Sequence, residues 1–528
     1  MAVNIPSGST RAPHHMVASA DQLATQAGMS ILALGGNAVD AAIATNAAIA
    51  VTGPHLCGMG GDLFALVHDP NADGAGVACL NSSGRAGSGA SAAAIRADGH
   101  HVMPFRHDIR TVTVPGCVDG WVALHDRFGS LPLATVLKPA IELAENGFPA
   151  SPLLAVSVSL LDERGQRNLS ELVTQVRRAG DRLSRPGAAS ALRAIAEGGR
   201  EAFYEGSFGS GLLELGQGWF TADDLARPQA EWVEPLRATA WGHDLWTVPP
   251  NSQGYLLLGA AALASDLDLP PDPDDPQWAH LLIESATAAG HDRPAVLHDR
   301  ADGEALVTAI AMRGDLIDVQ HASRRPISGN DGDTTYLCTA DGNGMAVSLI
   351  QSNASGFGSW LAEPSTGINL HNRGLGFSID EGHPAEIRPG ARPPHTLSPA
   401  LATRADELAA VFGTMGGDGQ PQILLQIAAR LFHHGQSPAA AVNAGRWVLR
   451  GPVTGFDTWT APAGPVVQVE GHAPTVWGEQ LGQLGHRVER VAPFDSSFGH
   501  AHAIVRDDNG FWNGAADPRA RVGSVAGA

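Results

Sequence analysis

Two β-like segments, 334–338 (Thr-Thr-Tyr-Leu-Cys) and 346–350 (Ala-Val-Ser-Leu-Ile), flank the turn signal Asp341-Gly342-Asn343. Short apolar, β-branched runs on either side of a Gly-Asn turn specify an antiparallel hairpin. A loop rich in Gly, Ser, Asn and Asp, 327–333, runs directly into the first segment. The chain therefore has to bring a polar, turn-rich loop straight to the rim of a sheet, with Thr334 as the first strand residue. Cutting the peptide bond before Thr334 would give that residue a free α-amine beside its own hydroxyl. Nucleophile and general base would then sit in one residue.

At 528 residues the chain exceeds one simple core, so two or more tightly associated units are expected. A hydrophobic fraction of 44% with 17% charged residues belongs to a soluble globular protein. A net charge of -20 argues against nucleic acid and anionic membranes as partners. No apolar run reaches the length of a membrane span; even the Ala-rich stretch 41–51 is interrupted by Thr45 and Asn46. The first residues, Met1-Ala2-Val3-Asn4-Ile5-Pro6, lack a basic end followed by an apolar region, so no secretory signal is read. Cys57, Cys79, Cys117 and Cys338 show neither metal nor redox spacing, which points to reduced thiols in a cytoplasmic protein.

Ser19 is expected to cap a helix over 21–34, with Leu23, Ala27, Ile31 and Leu34 on one face and Gly35-Gly36 as its stop. Asn37 is expected to cap a second helix through residue 50, apolar almost all round and so buried. The glycine loop 57–62 leads into a strand over 63–67. Up to about His321 the pattern alternates loops with short helices such as 139–146, where proline suits the first turn. Residues 321–333 read as an exposed linker, and strands dominate downstream until Pro421 opens a helix to residue 434. No internal repeat is present.

Acyl transfer also needs donors for a developing oxyanion. Residues 408–412 read as a strand, 413–419 as a glycine-rich turn, and Pro421 begins a helix, so Gly416-Gly417 falls where backbone N–H groups can point outward beside a positive helix end. Competing chemistries leave no trace: no G-x-S-x-G elbow, P-loop, H-E-x-x-H or C-x-x-C. His500-Ala501-His502 would put two imidazoles on one strand face, but no third ligand stands at metal spacing. Their reading is structural or substrate-lining, and neither metal nor cofactor is expected.

With these residues in hand, the chain resembles the γ-glutamyltranspeptidase family of N-terminal nucleophile hydrolases over nearly its whole length. The matching segments are Gln26-Ala27-Gly28-Met29, Gly35 to Ala42, Val114-Pro115-Gly116, Thr334-Thr335, Asp341-Gly342-Asn343, Asn353 with Phe357-Gly358, Asn372, Arg392-Pro393 and Gly416-Gly417. Their order and spacing together are specific. The resemblance implies an α+β fold, a four-layer αββα sandwich. It also implies a precursor that cuts itself into a large fragment, 1–333, and a small fragment, 334–528, which stay associated as a heterodimer open to further oligomerisation. It makes Thr334 the nucleophile, Gly416 and Gly417 the oxyanion pair, and Asn353 and Asn372 polar residues of the site. The family's assisting threonine falls near Gln351-Ser352, where a one-residue insertion blurs the register; Ser352 is assigned that role.

The departures concern the substrate. Tyr336 stands where the family usually has histidine, Gly376 where it has the acid for a glutamyl α-amine, and His395-Thr396 where it has paired serines for the α-carboxylate. The family's carboxylate-binding arginine has no certain counterpart; Arg85 lies two positions away. Arg373 and Arg85 suggest a pocket that reads carboxylates, and Asp418, beside the glycine pair, is the first place to seek an ammonium site. The reading is an autoprocessing acyltransferase or amidohydrolase acting on a small amide that carries a carboxylate, with water or an amine as acceptor. A substrate-shifted relative, such as a glutaryl-cephalosporin acylase or an oxamate amidohydrolase, is the nearest alternative. The rival from another class is a non-catalytic scaffold, against which Thr334, the cleavage loop and the glycine pair all speak.

Overall fold

A computed structural model describes residues 8–323, 333–450 and 466–528, so most of the 321–333 linker lies outside the described residues. The hairpin forms as strands Asp333–Ala340 and Ala346–Ala354, paired antiparallel. Its turn closes with the Asp341 N–H donating to the Met345 carbonyl at 2.9 Å. Left-handed backbone falls on Gly344 (φ +90°). The Asp341 carboxylate accepts from the N–H of Asn343 at 2.8 Å and, through its other oxygen, from the N–H of Ala38 at 3.0 Å. The turn is thereby tied to the start of helix Ala38–Thr52.

Two seven-stranded sheets carry the fold. One runs, in spatial order, Ser524–Gly527, Met16–Ser19, Asp333–Ala340, Ala346–Ala354, Asp62–His68, Val77–Ser82 and Glu231–Val233. The other runs Thr10–Ala12, Trp512–Ala516, Ala501–Arg506, Glu407–Thr414, Ala400–Arg404, His243–Thr247 and Leu236–Ala240. Neighbouring strands in both sheets pair antiparallel. Side chains alternate between the faces, as the two-residue period of a strand requires. Leu337, Val347 and Leu349 pack with Leu63 and Val67 against helices, among them Ala38–Thr52. Tyr336, Cys338 and Ile350 point the other way and meet Leu401, Val411 and Ile504 of the facing sheet. That sheet's far side, with Ala402 and Phe412, is covered by helices Tyr255–Ser265, Pro276–Gly290 and Gln420–Ala428. The result is the αββα sandwich.

Local chemistry corrects several boundaries. The first helix, Gln22–Ala33, is capped by Asp21 and not Ser19: the Asp21 carboxylate accepts from the Leu23 N–H at 2.7 Å. Ser19 instead ends a strand, with its hydroxyl donating to the Asp21 carbonyl at 2.8 Å. Because this helix stops at Ala33, Leu34 turns out to solvent and does not join the stripe. Asn37 does cap the second helix, in a reciprocal box with Asp40. The helix read over 139–146 begins earlier, at Leu133, and takes Pro139 into its interior, where Val136, Leu137, Ala140 and Ala144 bury its apolar face. The helix opened by Pro421 runs Gln420–Ala428 and ends in a π turn, Ala429–His433.

Tyr336 needs space between the sheets, and Gly413 supplies it. A Cβ on Gly413 would overlap the Tyr336 ring. The phenol is buried and shares a hydrogen bond with Ser348 Oγ at 2.9 Å. Gly413→Ala is expected to destabilise the protein by about 1–3 kcal/mol through overpacking, read by urea denaturation. In a Tyr336→Ala background the same substitution should cost less, since the clash is gone; an equal cost in both backgrounds would disprove the account.

Candidate active site

Thr334 stands where the hairpin ladder slips. Asp333 faces Ala354 while Thr335 faces Gln351, so Ser352 and Asn353 together oppose Thr334 in a β-bulge. The bulge aims Ser352 at Thr334, whose hydroxyl donates to Ser352 Oγ at 3.0 Å. Ser352 Oγ also accepts from the Ala354 N–H at 2.8 Å and from Arg373 Nη2 at 3.2 Å. Thr334, Ser352 and Arg373 are all buried between the sheets.

Arg373 connects this group to the glycine turn. Its Nη1 donates to Thr396 Oγ1 at 3.1 Å. Gln253 Nε2 then donates to the Thr396 carbonyl at 3.1 Å and to the Gly417 carbonyl at 3.0 Å. Gly416 (φ +134°) and Gly417 (φ +54°) both adopt positive φ, which a glycine accepts without strain. Among the described residues their N–H groups meet no acceptor, and helix Gln420–Ala428 starts just beyond. Two outward N–H donors beside a helix N-terminus form a ready cradle for negative charge.

The sequence reading missed Asp62, the fully buried first residue of strand Asp62–His68, which pairs with Ser352 across the ladder. One carboxylate oxygen accepts from the N–H groups of Gly84 at 2.9 Å and Gly116 at 3.3 Å. The other faces His395 Nε2 at 3.1 Å and His371 Nδ1 at 3.6 Å. Burial opposes ionisation of Asp62, but the two histidines and the Gly84 N–H outweigh it and hold its pKa down to about 2. His395 Nδ1 accepts from the Leu397 N–H at 3.3 Å, which leaves the proton on Nε2 to donate to Asp62. Burial first, then the Arg373 charge, lower the His395 pKa to about 3, so the ring is neutral. Burial also lowers the pKa of Arg373, to about 10, against the opposing pull of Asp62 and Asp418, and the guanidinium stays charged near neutral pH. The placing of Asp62 directly after Gly60-Gly61 was the one available signal.

A cavity of about 500 Å³ opens beside Thr396, walled by Met103, Phe105, Leu297, Leu375 and Phe377, with Arg293 at its polar end. Arg293 Nη2 lies 3.4 Å from Asp418 Oδ1, and its buried Nε has no hydrogen-bond partner among the described residues. Arg293 was invisible in the sequence, since it lies more than a hundred positions from Asp418.

Of the residues singled out from sequence, Thr334, Ser352, Arg373 and Thr396 come together, and Gly416-Gly417 joins them through Gln253. Others are engaged elsewhere. Arg85 pairs with Glu231 at 3.1 Å, which also binds Arg392 at 3.0 Å. The Asn353 amide donates to the Pro54 carbonyl at 3.2 Å. Asn372 donates to the Phe105 carbonyl at 2.9 Å and accepts from the Ser355 N–H at 3.1 Å, bracing the cavity wall. Asp418 is taken by Arg293, and His395 by Asp62. His500 and His502 turn to separate partners, Ser496 Oγ at 2.7 Å and the Asp517 N–H at 3.2 Å.

The folded-state pKa of Asp62, about 2, lies below its ordinary 3.8. Its stabilising contribution is therefore complete above the ordinary value and is lost as pH falls from about 4 towards 2. Asp62→Asn should remove about 2 kcal/mol of this acid-dependent stability, measured as urea midpoints at pH steps through that window. Superimposable acid limbs for wild type and variant would rule out the assignment.

The sequence matches the family model described as Gamma-glutamyltranspeptidase over residues 24–527. It is 36% identical over 540 residues to the Oxamate amidohydrolase proenzyme of Klebsiella pneumoniae, covering 98% of both chains. It is 34% identical over 533 residues to the Glutathione hydrolase-like YwrD proenzyme of Bacillus subtilis, covering 96% of this chain and 97% of that one. Among solved structures, a cephalosporin acylase from Bacillus halodurans superposes with a TM-score of 0.89 at 33% identity, over 100% of this chain and 98% of that one. With sandwich, hairpin and glycine turn all in agreement, the chain belongs to the γ-glutamyltranspeptidase family of N-terminal nucleophile hydrolases.

Proposed function

We propose that this enzyme cuts itself between Asp333 and Thr334 and then uses Thr334 to cleave a carboxylate-bearing amide. The observation that carries this reading is the Thr334 hydroxyl resting on Ser352 Oγ at 3.0 Å, at the start of a central strand. In maturation, Thr334 Oγ attacks the Asp333 carbonyl; the N-to-O acyl shift gives an ester, and water opens it. The two fragments, 1–333 and 334–528, remain joined because both sheets draw strands from each.

In turnover, the new α-amine of Thr334 takes the hydroxyl proton as Oγ attacks the substrate carbonyl. Ser352, itself fixed by Arg373, holds Oγ in place. The N–H groups of Gly416 and Gly417 receive the oxyanion. The α-ammonium then protonates the departing amine, and water or an acceptor amine resolves the acyl-enzyme. Thr334→Ala is expected to remain full length on a denaturing gel and to show no turnover; a variant that splits at the same bond would remove Thr334 from the nucleophile's role. Gly417→Ala should lower kcat by about 10²–10³ with the fold retained, and near-normal kcat would reduce the glycine turn to a structural role.

The substrate reading rests on charge and space. Arg293 lines the cavity and Arg373 lies behind its Thr396, while Asp418 is already paired and Gly376 has no room for an acidic side chain, because a Cβ there would overlap the Pro394 carbonyl oxygen. A substrate carboxylate thus finds the Arg293 guanidinium, while the buried acids Asp62 and Asp418 are already paired and the lining acid Asp380 is exposed to solvent. The apolar walls and the volume of about 500 Å³ favour a glutaryl-type amide of a bulky amine over one as small as oxamate. Removing the α-amine of a γ-glutamyl anilide, to give the glutaryl anilide, should change kcat/KM by less than about a hundredfold, roughly 2.7 kcal/mol. Arg293→Ala and Arg373→Ala should raise KM for the glutaryl compound. A γ-glutamyl preference beyond that limit would mean an ammonium site elsewhere in the cavity. The four buried thiols, none in a disulfide, favour a reducing compartment, the cytoplasm.

A further inference from the structure

In the helical layer over the second sheet, helix Pro276–Gly290 carries His280 and Glu284 one turn apart, on the same side. Both are buried, at 0% and 2% exposure. The turn after helix Thr475–Gln483 brings His486 onto them, so that His280 Nδ1 and His486 Nε2 lie 2.8 Å apart, from positions separated by 206 residues. One ligand atom from each of His280, Glu284 and His486 falls within 4.8 Å of the other two. We propose that His280, Glu284 and His486 form a binding site for a zinc-type divalent cation that joins the large fragment to the small one.

The chemistry of the donor set fits such an ion. Two imidazoles and a carboxylate, with one position left to water, satisfy a tetrahedral late first-row cation. His280 already has the outer contact that a metal-binding histidine needs: its Nε2 donates to the Asp318 carbonyl at 2.9 Å, which fixes the proton there and leaves the Nδ1 lone pair facing His486. In the metal-free geometry His486 Nε2–H donates to that lone pair. Binding requires His486 to carry its proton on Nδ1 instead, so neither ring loses a proton. With metal–nitrogen bonds of about 2.0–2.1 Å, tetrahedral geometry sets the two nitrogens about 3.4 Å apart. They must part by roughly half an ångström from their hydrogen-bonded spacing. His486, half-buried on a turn, can make that movement.

The neighbourhood gives the site a purpose. Ser323, the last described residue before the cleavage segment, donates its N–H to Glu284 Oε1 at 3.1 Å. The Ala322 N–H donates to the Leu484 carbonyl at 2.7 Å, two residues before His486. His280 and Glu284 lie before Thr334 and His486 after it. On the proposed cleavage, an ion held by all three would fasten the large fragment to the small fragment.

The experiment loads the purified enzyme, and in parallel uncleaved Thr334→Ala, with zinc, removes loose metal on a desalting column and measures metal content. The expected result is one zinc per chain in both, with a visible tetrahedral absorption on cobalt substitution and a raised Tm. His486→Ala and Glu284→Gln should bind at least about tenfold more weakly and show neither absorption nor Tm shift, while retaining kcat. Equal metal content in wild type and His486→Ala, or wild type without bound zinc or a cobalt band, would overturn the proposal. Because Thr334→Ala is included, failure of the metal site and failure of the cleavage reading are separable.

Discussion

The architecture depends on one hairpin placed inside a sheet and not at its edge. Strand Asp333–Ala340 has Met16–Ser19 on one side and its hairpin partner on the other, and the partner in turn pairs with Asp62–His68. A chain cut at the start of this strand loses a single covalent bond and none of the ladder. The facing sheet is interleaved in the same way, with Thr10–Ala12 beside Trp512–Ala516 and His243–Thr247 beside Ala400–Arg404. Two fragments built so cannot part without opening both sheets and the apolar layer between them. Such a fold can lose the peptide bond before Thr334 and still hold together.

The bulge opposite Thr334 converts that topology into chemistry. In a regular ladder, one residue would face Thr334. The extra residue brings Ser352 Oγ to the threonine hydroxyl and sends the Asn353 amide off to the Pro54 carbonyl. The same serine is gripped by Arg373, whose other nitrogen reaches Thr396 and so the glycine turn. Thr334, Ser352 and the Gly416-Gly417 turn are thus fixed by three different elements through buried hydrogen bonds, and preset geometry of this kind is what lowers a reaction barrier without reorganisation.

Much of this was legible in the sequence, and the parts that were not share a cause. The hairpin, the Asn37 cap and the Gly416-Gly417 turn announce themselves within a few residues, through periodicity, capping chemistry and turn preference. Thr334 stood out from the loop that runs into its strand, and family resemblance then supplied the αββα order. Arg85 misled because adjacency in sequence to a family position says nothing of partners: Glu231, contributed by a distant strand, takes its charge. Asp62, Arg293 and Gln253 were missed for the same reason in reverse, since each acquires its role from residues far along the chain. Ser19 failed at shorter range, because pairing of its strand with Asp333–Ala340 and Ser524–Gly527 outweighed its preference for a helix cap.

The departures from the family pattern around the site are built into the backbone more deeply than a list of substitutions suggests. Around the site stand two guanidinium groups, Arg373 and Arg293, and two carboxylates, Asp62 and Asp418, while His395 stays neutral between Asp62 and the Leu397 N–H. The charges of these four buried groups balance, so together they do not attract an anion by net charge. The site selects by which donors and acceptors remain oriented towards the cavity. The carboxylates do not remain so: Asp62 is enclosed by Gly84, Gly116 and the histidines, and Asp418 faces Arg293. Arg293, by contrast, lines the cavity, and its buried Nε has no hydrogen-bond partner among the described residues. Placing an acid at position 376 would not restore an ammonium site, because the backbone there runs against the Pro394 carbonyl and would have to move first. On the proposed reading, substrate preference would be set by the path of the chain around Gly376 as much as by the side chains that line the cavity.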